Sequence, residues 1–349
     1  MIYIDKSCTL IEALKKMDFL ERKLLIVTSD NNFFGLLSAG DIQRAIIKNY
    51  DLNTSIEKII RKNIKVARKT DDFESIKKMM IEYRMEFCPV IGEDNSIAEI
   101  YYWEDVFKET QRIQFAQFNL PIVIMAGGIG SRLKPLTNVI PKPLIPIGDK
   151  SMLEHIFERF YKHGSDTFFI SVNYKAELIK FYLKEQNLPY NLNYFKEEKP
   201  SGTAGSLSLL KGKLKSTFFV SNCDILIEED YSEILKYHNE NKNEITIIAA
   251  LKHYSIPYGT LETAEDGKLV SLQEKPELNF MINSGLYLLE PHLLNEIPEN
   301  TFFHITDLID IVKKRKGNIG VFPVSEASWF DTGEWSEYNK TQGLLTKKN

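Results

Sequence analysis

Residues 122–144, IVIMAGGIGSRLKPLTNVIPKPL, set a glycine-dense turn between an apolar run and two cations. The turn is Ala126-Gly127-Gly128-Ile129-Gly130, and the cations are Arg132 and Lys142. Glycine reaches positive φ without steric cost, so a turn of this kind can aim several backbone amides at one anion. Arg132 and Lys142 can neutralise a polyphosphate held there. The chemistry is that of a nucleoside triphosphate site. Two common phosphate loops do not fit. A dinucleotide fingerprint needs a third glycine where Leu133 stands, and a P-loop needs a closing Gly-Lys-Ser/Thr that is absent.

Two aspartates extend this chemistry. Phe218-Phe219-Val220-Ser221-Asn222-Cys223-Asp224 is an apolar strand that ends in a carboxylate, and Asp331 follows Trp329-Phe330 and precedes Thr332-Gly333. Either one alone reads equally as a cap or turn residue. As a pair beside a phosphate site they suit Mg2+, which takes one or two carboxylates together with phosphate oxygens. Three further segments carry polar groups at turn-like positions: Lys199 to Ser206 (KPSGTAGS), Tyr258-Gly259 followed by Glu274-Lys275-Pro276, and Asn283-Ser284-Gly285.

The whole string G-G-x-G-x-R-L-x-P-L-T-x-x-x-P-K-P-L resembles the sugar-nucleotide pyrophosphorylases, nucleotidyltransferases that act on sugar 1-phosphates. The resemblance implies a role for each matching residue. Ala126, Gly127, Gly128, Gly202 and Thr203 would line the nucleotide. Arg132, Lys142 and Lys275 would be the catalytic cations. Gly259, Glu274 and Asn283 would meet the sugar, and Asp224 and Asp331 would hold Mg2+. Glu197 stands where thymidylyl and uridylyl relatives tend to carry Gln. A carboxylate only accepts hydrogen bonds, and guanine offers two adjacent donors, so Glu197 points to GTP. The other reading of Glu197-Glu198 is a solvated acidic pair.

These residues need strands to carry them. Ser151 and Glu154 form a capping-box pattern ahead of a helix with Met152, Leu153, Ile156, Phe157 and Phe160 on one face, stopping at Gly164. Strands are predicted at 167–172, 192–195, 217–221, 245–251 and 283–289, with a helix from about Lys175. Alternating strand and helix patterns predict an α/β domain over 121–349, with a mostly parallel, Rossmann-like sheet and helices on both faces. Ligands of such sheets sit beyond the carboxyl ends of the strands, where the glycine turn and Asp224 fall.

Ahead of this domain, residues 1–112 contain a repeat of about 1–56 and 57–112. Glu12 to Met17 (EALKKM) matches Glu74 to Met79 (ESIKKM), and Asp30-Asn31 matches Asp94-Asn95. Each copy reads as helix, strand, turn, strand, helix, and is too small to bury its own apolar face, so the two should pack together. The layout resembles an α+β pair of CBS modules, a family that often binds adenosine nucleotides through G-x-x-[ST]-x-x-D. Copy one keeps Gly35, Ser38 and Asp41. Copy two has Glu99, Tyr102 and Asp105, so Ser38 and Asp41 are the candidate ligand residues. A purely packing or dimerising module is the other reading. CBS pairs often dimerise, which makes a homodimer an expectation of the resemblance. Residues 113–120 are expected to link the halves.

Composition narrows the remaining classes. Residues 1–118 carry 18 basic and 19 acidic side chains and the rest 26 and 29, so neither part has the basic footprint of a nucleic-acid or anionic-membrane binder. No apolar run reaches the length of a membrane span. Cys8, Cys88 and Cys223 are few and far apart, which fits reduced thiols in the cytoplasm. A CBS pair joined to a short pyrophosphorylase domain without a C-terminal β-helix resembles the glucosamine-1-phosphate guanylyltransferases of legionaminic acid synthesis. Mannose-1-phosphate guanylyltransferase and other hexose-1-phosphate uridylyl- or thymidylyltransferases remain open. A nucleotide-sensing regulator is the alternative of another class.

Overall fold

The computed structural model describes residues 2–61, 64–83, 85–107, 115–197 and 201–345. The chain divides into two units, residues 1–114 and 115–349.

In the first unit each repeat builds the same small sheet. Copy one has β1 (Tyr3–Asp5), α1 (Leu10–Leu20), β2 (Leu24–Ser29), β3 (Asn32–Ser38) and α2 (Ala39–Ile47). Copy two has β4 (Ala67–Arg68), α3 (Phe73–Tyr83), β5 (Phe87–Ile91), β6 (Ile97–Tyr102) and α4 (Trp103–Phe107). In both, the first strand runs parallel to the second, which pairs antiparallel with the third. Both antiparallel ladders shift register once, at Val27/Thr28 and at Val90/Ile91. Ile26 and Leu36 of one copy share a buried cluster with Ile76, Met80, Phe87 and Cys88 of the other. The copies therefore complete each other's core.

The second unit centres on a seven-stranded sheet. Its elements begin with β7 (Ile122–Met125), β8 (Pro146–Ile147), β9 (Lys150–Ser151), α5 (Met152–Tyr161), β10 (Thr167–Val172), α6 (Ala176–Glu185) and β11 (Asn191–Lys196). They continue with β12 (Phe218–Asn222), β13 (Ile225–Ile227), α7 (Tyr231–Glu240), β14 (Ile245–Ser255), β15 (Thr260–Thr263), β16 (Leu269–Gln273) and β17 (Glu277–Leu289). The last are α8 (Ile305–Lys314), β18 (Ile319–Ser325), β19 (Trp329–Asp331) and α9 (Trp335–Leu345). The sheet order is β11-β10-β7-β12-β17-β14-β18. Every neighbouring pair is parallel except the two made by β17.

Strand alternation explains the layers. Val123, Phe218 and Val220 join Leu207, Leu308 and Val312 on one face. Phe219 turns the other way, onto Phe160 of α5 and Tyr231 of α7. Helices thus cover both faces, as the pattern requires. Residues 115–120, within the expected link, pack into this unit. The Phe118 ring stacks on His163 and meets Phe219, its amide donates to the His163 carbonyl at 2.9 Å, and Leu120 N donates to Ser165 Oγ at 3.0 Å. Among the described residues, no helix is long and apolar enough to cross a membrane.

Candidate active site

Register places the carboxyl ends of three parallel strands side by side. Met125 of β7 lies opposite Ser171 of β10 on one side and Asn222 of β12 on the other. The chain order reverses at β7, which makes its carboxyl end the switch point where such sheets open a crevice. The glycine turn starts there. The Ala126 amide still donates to Ser171 O, and the Leu133 amide returns to Gly130 O. Between them, the amides of Gly127 to Gly130 have no acceptor among the described residues. Gly130 has φ +71°, and a Cβ on it would lie 2.9 Å from Thr137 and 3.0 Å from Lys142, so only glycine closes the turn.

Asp224 and Asp331 converge on this end, although far apart in the chain. β13 pairs antiparallel with β19, setting Ile225 opposite Asp331. Gly333 sits between the two acids: a Cβ there would be 2.8 Å from Asp331 Oδ1, 2.9 Å from Asp224 Oδ2 and 3.5 Å from Lys142 Nζ. The Lys142 ammonium donates to Asp224 in a largely buried ion pair. Burial pulls its pKa down, but the charges of Asp224 and Asp331 outweigh burial, and the net shift is upward. Lys142 is therefore a fixed cation and not a base. Asp331 moves the other way for an acid. Burial and the neighbouring Asp224 charge raise it, against the pull of the Gly333 amide. Two crowded carboxylates with hard oxygen donors suit a divalent cation, and these residues fit Mg2+.

Glu197 is buried directly after β11. Its carboxylate accepts from the Ser171 hydroxyl and from Ser201 N at 3.2 Å, and lies 2.9 Å from where a Gly127 Cβ would be. It is therefore not a solvated side chain. Glu198, Lys199 and Pro200 lie outside the described residues. Gly202 (φ +78°) packs on the Phe303 carbonyl, 2.5 Å from a notional Cβ, and the Thr203 hydroxyl accepts from the first amide of α8, Ile305 N, at 3.0 Å. Both residues thus have packing roles of their own.

The residues expected to meet the sugar divide. Asn283 lies opposite Ala249, and Gly285 beside it packs against Asn222, so this stretch of β17 reaches the acids' end of the sheet. Gly259 and Glu274 meet each other, 3.0 Å from a notional Gly259 Cβ to the Glu274 carboxylate. Lys275 is exposed on the turn ahead of β17. Glu277 and Asn283 stand six positions apart on the strand, roughly 20 Å of ladder. No contact among the described residues ties Lys275 to Lys142, Asp224 or Asp331.

In the first unit, Ser38 and Asp41 cap α2 reciprocally. Asp41 is buried, and its oxygens also receive Arg44 Nη2 at 2.6 Å and Arg61 Nε at 2.7 Å. A Gly35 Cβ would touch Ile60 at 2.9 Å and Ile64 at 3.0 Å. Ser38 and Asp41, the candidate ligand residues, thus also have partners within the chain itself.

Sequence reasoning missed Glu334. Its carboxylate pairs with Arg132 at 3.0 Å across the mouth of the site. Its position next to Asp331-Thr332-Gly333 was the available signal. Glu244, His292 and Glu296 also gather like metal ligands, but Arg315 donates into the middle of them, and an ion-pair cluster accounts for the set.

A family model described as "Nucleotidyl transferase" matches residues 122–348. The D-glycero-alpha-D-manno-heptose 1-phosphate guanylyltransferase of Campylobacter jejuni is 33% identical over 57% of this chain and 90% of its own. The mannose-1-phosphate guanylyltransferase catalytic subunit beta of Dictyostelium discoideum is 30% identical over 64% of this chain and 63% of its own. For the Oryza sativa mannose-1-phosphate guanylyltransferases the matched stretch spans about half of their length, 51%. Among solved structures, HddC from Yersinia pseudotuberculosis complexed with GMP-PN superposes with a TM-score of 0.52 at 26% identity, over 65% of this chain and 99% of that one.

Proposed function

Because the chain belongs to the nucleotidyl transferase family, we propose that it transfers a guanylyl group from GTP to a sugar 1-phosphate, most specifically glucosamine 1-phosphate. The observation that carries this reading is the convergence of the glycine turn, Lys142, Asp224 and Asp331 at one end of the sheet. The guanylyltransferase relatives and the buried acceptor Glu197 support GTP. The resemblance of the two-unit layout to a CBS pair joined to a pyrophosphorylase supports glucosamine 1-phosphate over mannose 1-phosphate, the runner-up.

The reaction joins a sugar-phosphate oxygen to the α-phosphorus of the nucleotide. The bridging bond to the β-phosphate breaks, and its electron pair leaves on pyrophosphate. The nucleophile is already an anion, so no general base is needed. The difficulty is bringing two polyanions together, and catalysis of this kind is largely positioning and electrostatics. The amides of residues 127–130 and Arg132 hold the triphosphate and the leaving pyrophosphate. Lys142, kept protonated, offsets charge at the reacting phosphates. Gly259, Glu274 and Asn283 orient the sugar, and Lys275 is assigned to its phosphate by the sequence resemblance alone. Mg2+ held by Asp224 and Asp331 would supply Lewis-acid charge there.

A matrix of four nucleoside triphosphates against several sugar 1-phosphates, read by pyrophosphate release, tests the proposal. GTP with glucosamine 1-phosphate should turn over fastest. Faster turnover with UTP or CTP would defeat the guanine assignment, and no pyrophosphate from any pair would leave the nucleotide-sensing reading in its place.

A further inference from the structure

We infer that Glu334 is the resident counter-ion of Arg132, which the guanidinium exchanges for the polyphosphate of an incoming nucleotide. This rests on the polyphosphate-binding reading of the same site. Arg132 Nη1 lies 3.0 Å from Glu334 Oε1, with the two side chains 64% and 56% exposed. Arg132 lies two residues after Gly130, at the end of the glycine turn.

Both partners stand on backbone that is held in place. The chain beside Glu334 is pinned at several points. The Trp335 indole donates to Lys134 O at 3.2 Å, the Tyr338 hydroxyl donates to Pro146 O at 2.8 Å, and Glu337 lies 3.9 Å from Lys252 on β14. Arg132 belongs to a turn of three residues, Ser131–Leu133, behind Gly130. The Trp335 bond ties this turn to the chain beside Glu334, so the exchange is one of exposed side chains and not of backbone.

The charge count gives the exchange its direction. The cluster holds two cations, Arg132 and Lys142, against three carboxylates, Asp224, Asp331 and Glu334. The carboxylates win by one charge, which would repel a nucleotide. A divalent cation on the acids reverses that sign. A phosphate then offers Arg132 the same forked acceptor geometry as Glu334 with more charge behind it. An exposed pair is weak enough to yield. Glu334 is thus a positioning residue. It occupies the guanidinium until phosphate replaces it.

The test is calorimetric titration of inorganic tripolyphosphate, with Mg2+ present, into the full chain and its variants. Glu334→Gln should tighten binding by about two- to fivefold, the worth of an exposed ion pair. The gain should vanish near 1 M salt, where the screening length falls to about 3 Å. It should also vanish when Arg132→Gln is already present. Equal or weaker binding by Glu334→Gln, with the wild-type chain binding normally, overturns the inference and leaves the proposed function standing. Failure of the wild-type chain to bind any polyphosphate overturns both.

Discussion

Thr332 donates both its amide and its hydroxyl to the carbonyl of Asp224, at 2.9 and 3.1 Å, across 108 positions of sequence. That double bond of backbone to side chain and backbone sets the two acids together. It is local to a ladder of three residues a side, outside the large sheet. The two acids are therefore held by their own small frame, rooted in the strand end at Asn222.

Asp224→Ala should lower turnover by about a thousandfold or more, the scale on which a lost electrostatic contact to a reacting phosphate is felt. Asp224→Asn, which leaves Lys142 an acceptor, should lose comparable activity with a smaller drop in melting temperature. Near-wild-type turnover in either protein removes Asp224 from the metal site.

Asp331→Asn should separate stability from function. It removes one of two like charges in a half-buried site and keeps an oxygen for the Gly333 amide, 2.6 Å away. The metal-free protein should melt about 2 to 4 °C higher, the effect of ~1 kcal/mol in a unit of this size, while turnover collapses. A lower melting temperature without metal contradicts the crowding described here.

Glu197→Gln should relax base choice. The amide gains a donor and loses one acceptor, which suits the imide edge of uracil or thymine better than guanine. The ratio of kcat/KM for GTP to that for UTP should fall at least about tenfold, or 1.4 kcal/mol. An unchanged ratio assigns Glu197 to the Ser171–Ser201 packing alone.

The Glu244–Arg315 cluster makes a pH prediction. The Arg315 hydrogen bonds hold the Glu244 carboxyl down to about 2, from an ordinary 4.5. A depressed folded-state value means stability that is present above the unfolded value and is lost as pH falls from about 5 towards 2. Arg315→Met should flatten the melting-temperature profile across that window and leave it parallel to wild type above pH 6. Identical slopes below pH 5 would show that the pair contributes nothing.

Truncation tests the first residues of the second unit. A chain starting at Phe115 keeps the ring of Phe118 on His163 and should melt cooperatively. One starting at Leu120 loses that ring and should melt several degrees lower, with about 1.5–3 kcal/mol of apolar burial gone. Equal melting temperatures would mean that the 115–118 segment is only laid on the surface.

Much of this arrangement is legible in residue order. A four-residue apolar run cut off by glycines reads as a strand and turn, and β7 and its loop lie where that reading puts them. Phe218 to Asp224 reads the same way. Strand direction carries no such signal, so the reversal of β17 is invisible in sequence. β13 and β19 are too short to show periodicity, and their pairing depends on a fold already formed. The extensions of β14 to Ser255 and of β17 back to Glu277 were hidden for another reason: Tyr254, Phe280 and Met281 look like core residues but are exposed on an arm. Lys275 sits exposed on the turn ahead of β17, at the far end of that arm.

The 202 positions between Arg132 and Glu334 also set an order of events during translation. A growing polypeptide displays its glycine turn and both cations long before Asp331 and Glu334 have been added. Until β19 emerges and finds β13, the half-made domain owns one acid and no counter-ion for its arginine. Nascent chains, and fragments clipped ahead of Trp329, would carry the glycine turn and Lys142 without Asp331 or Glu334.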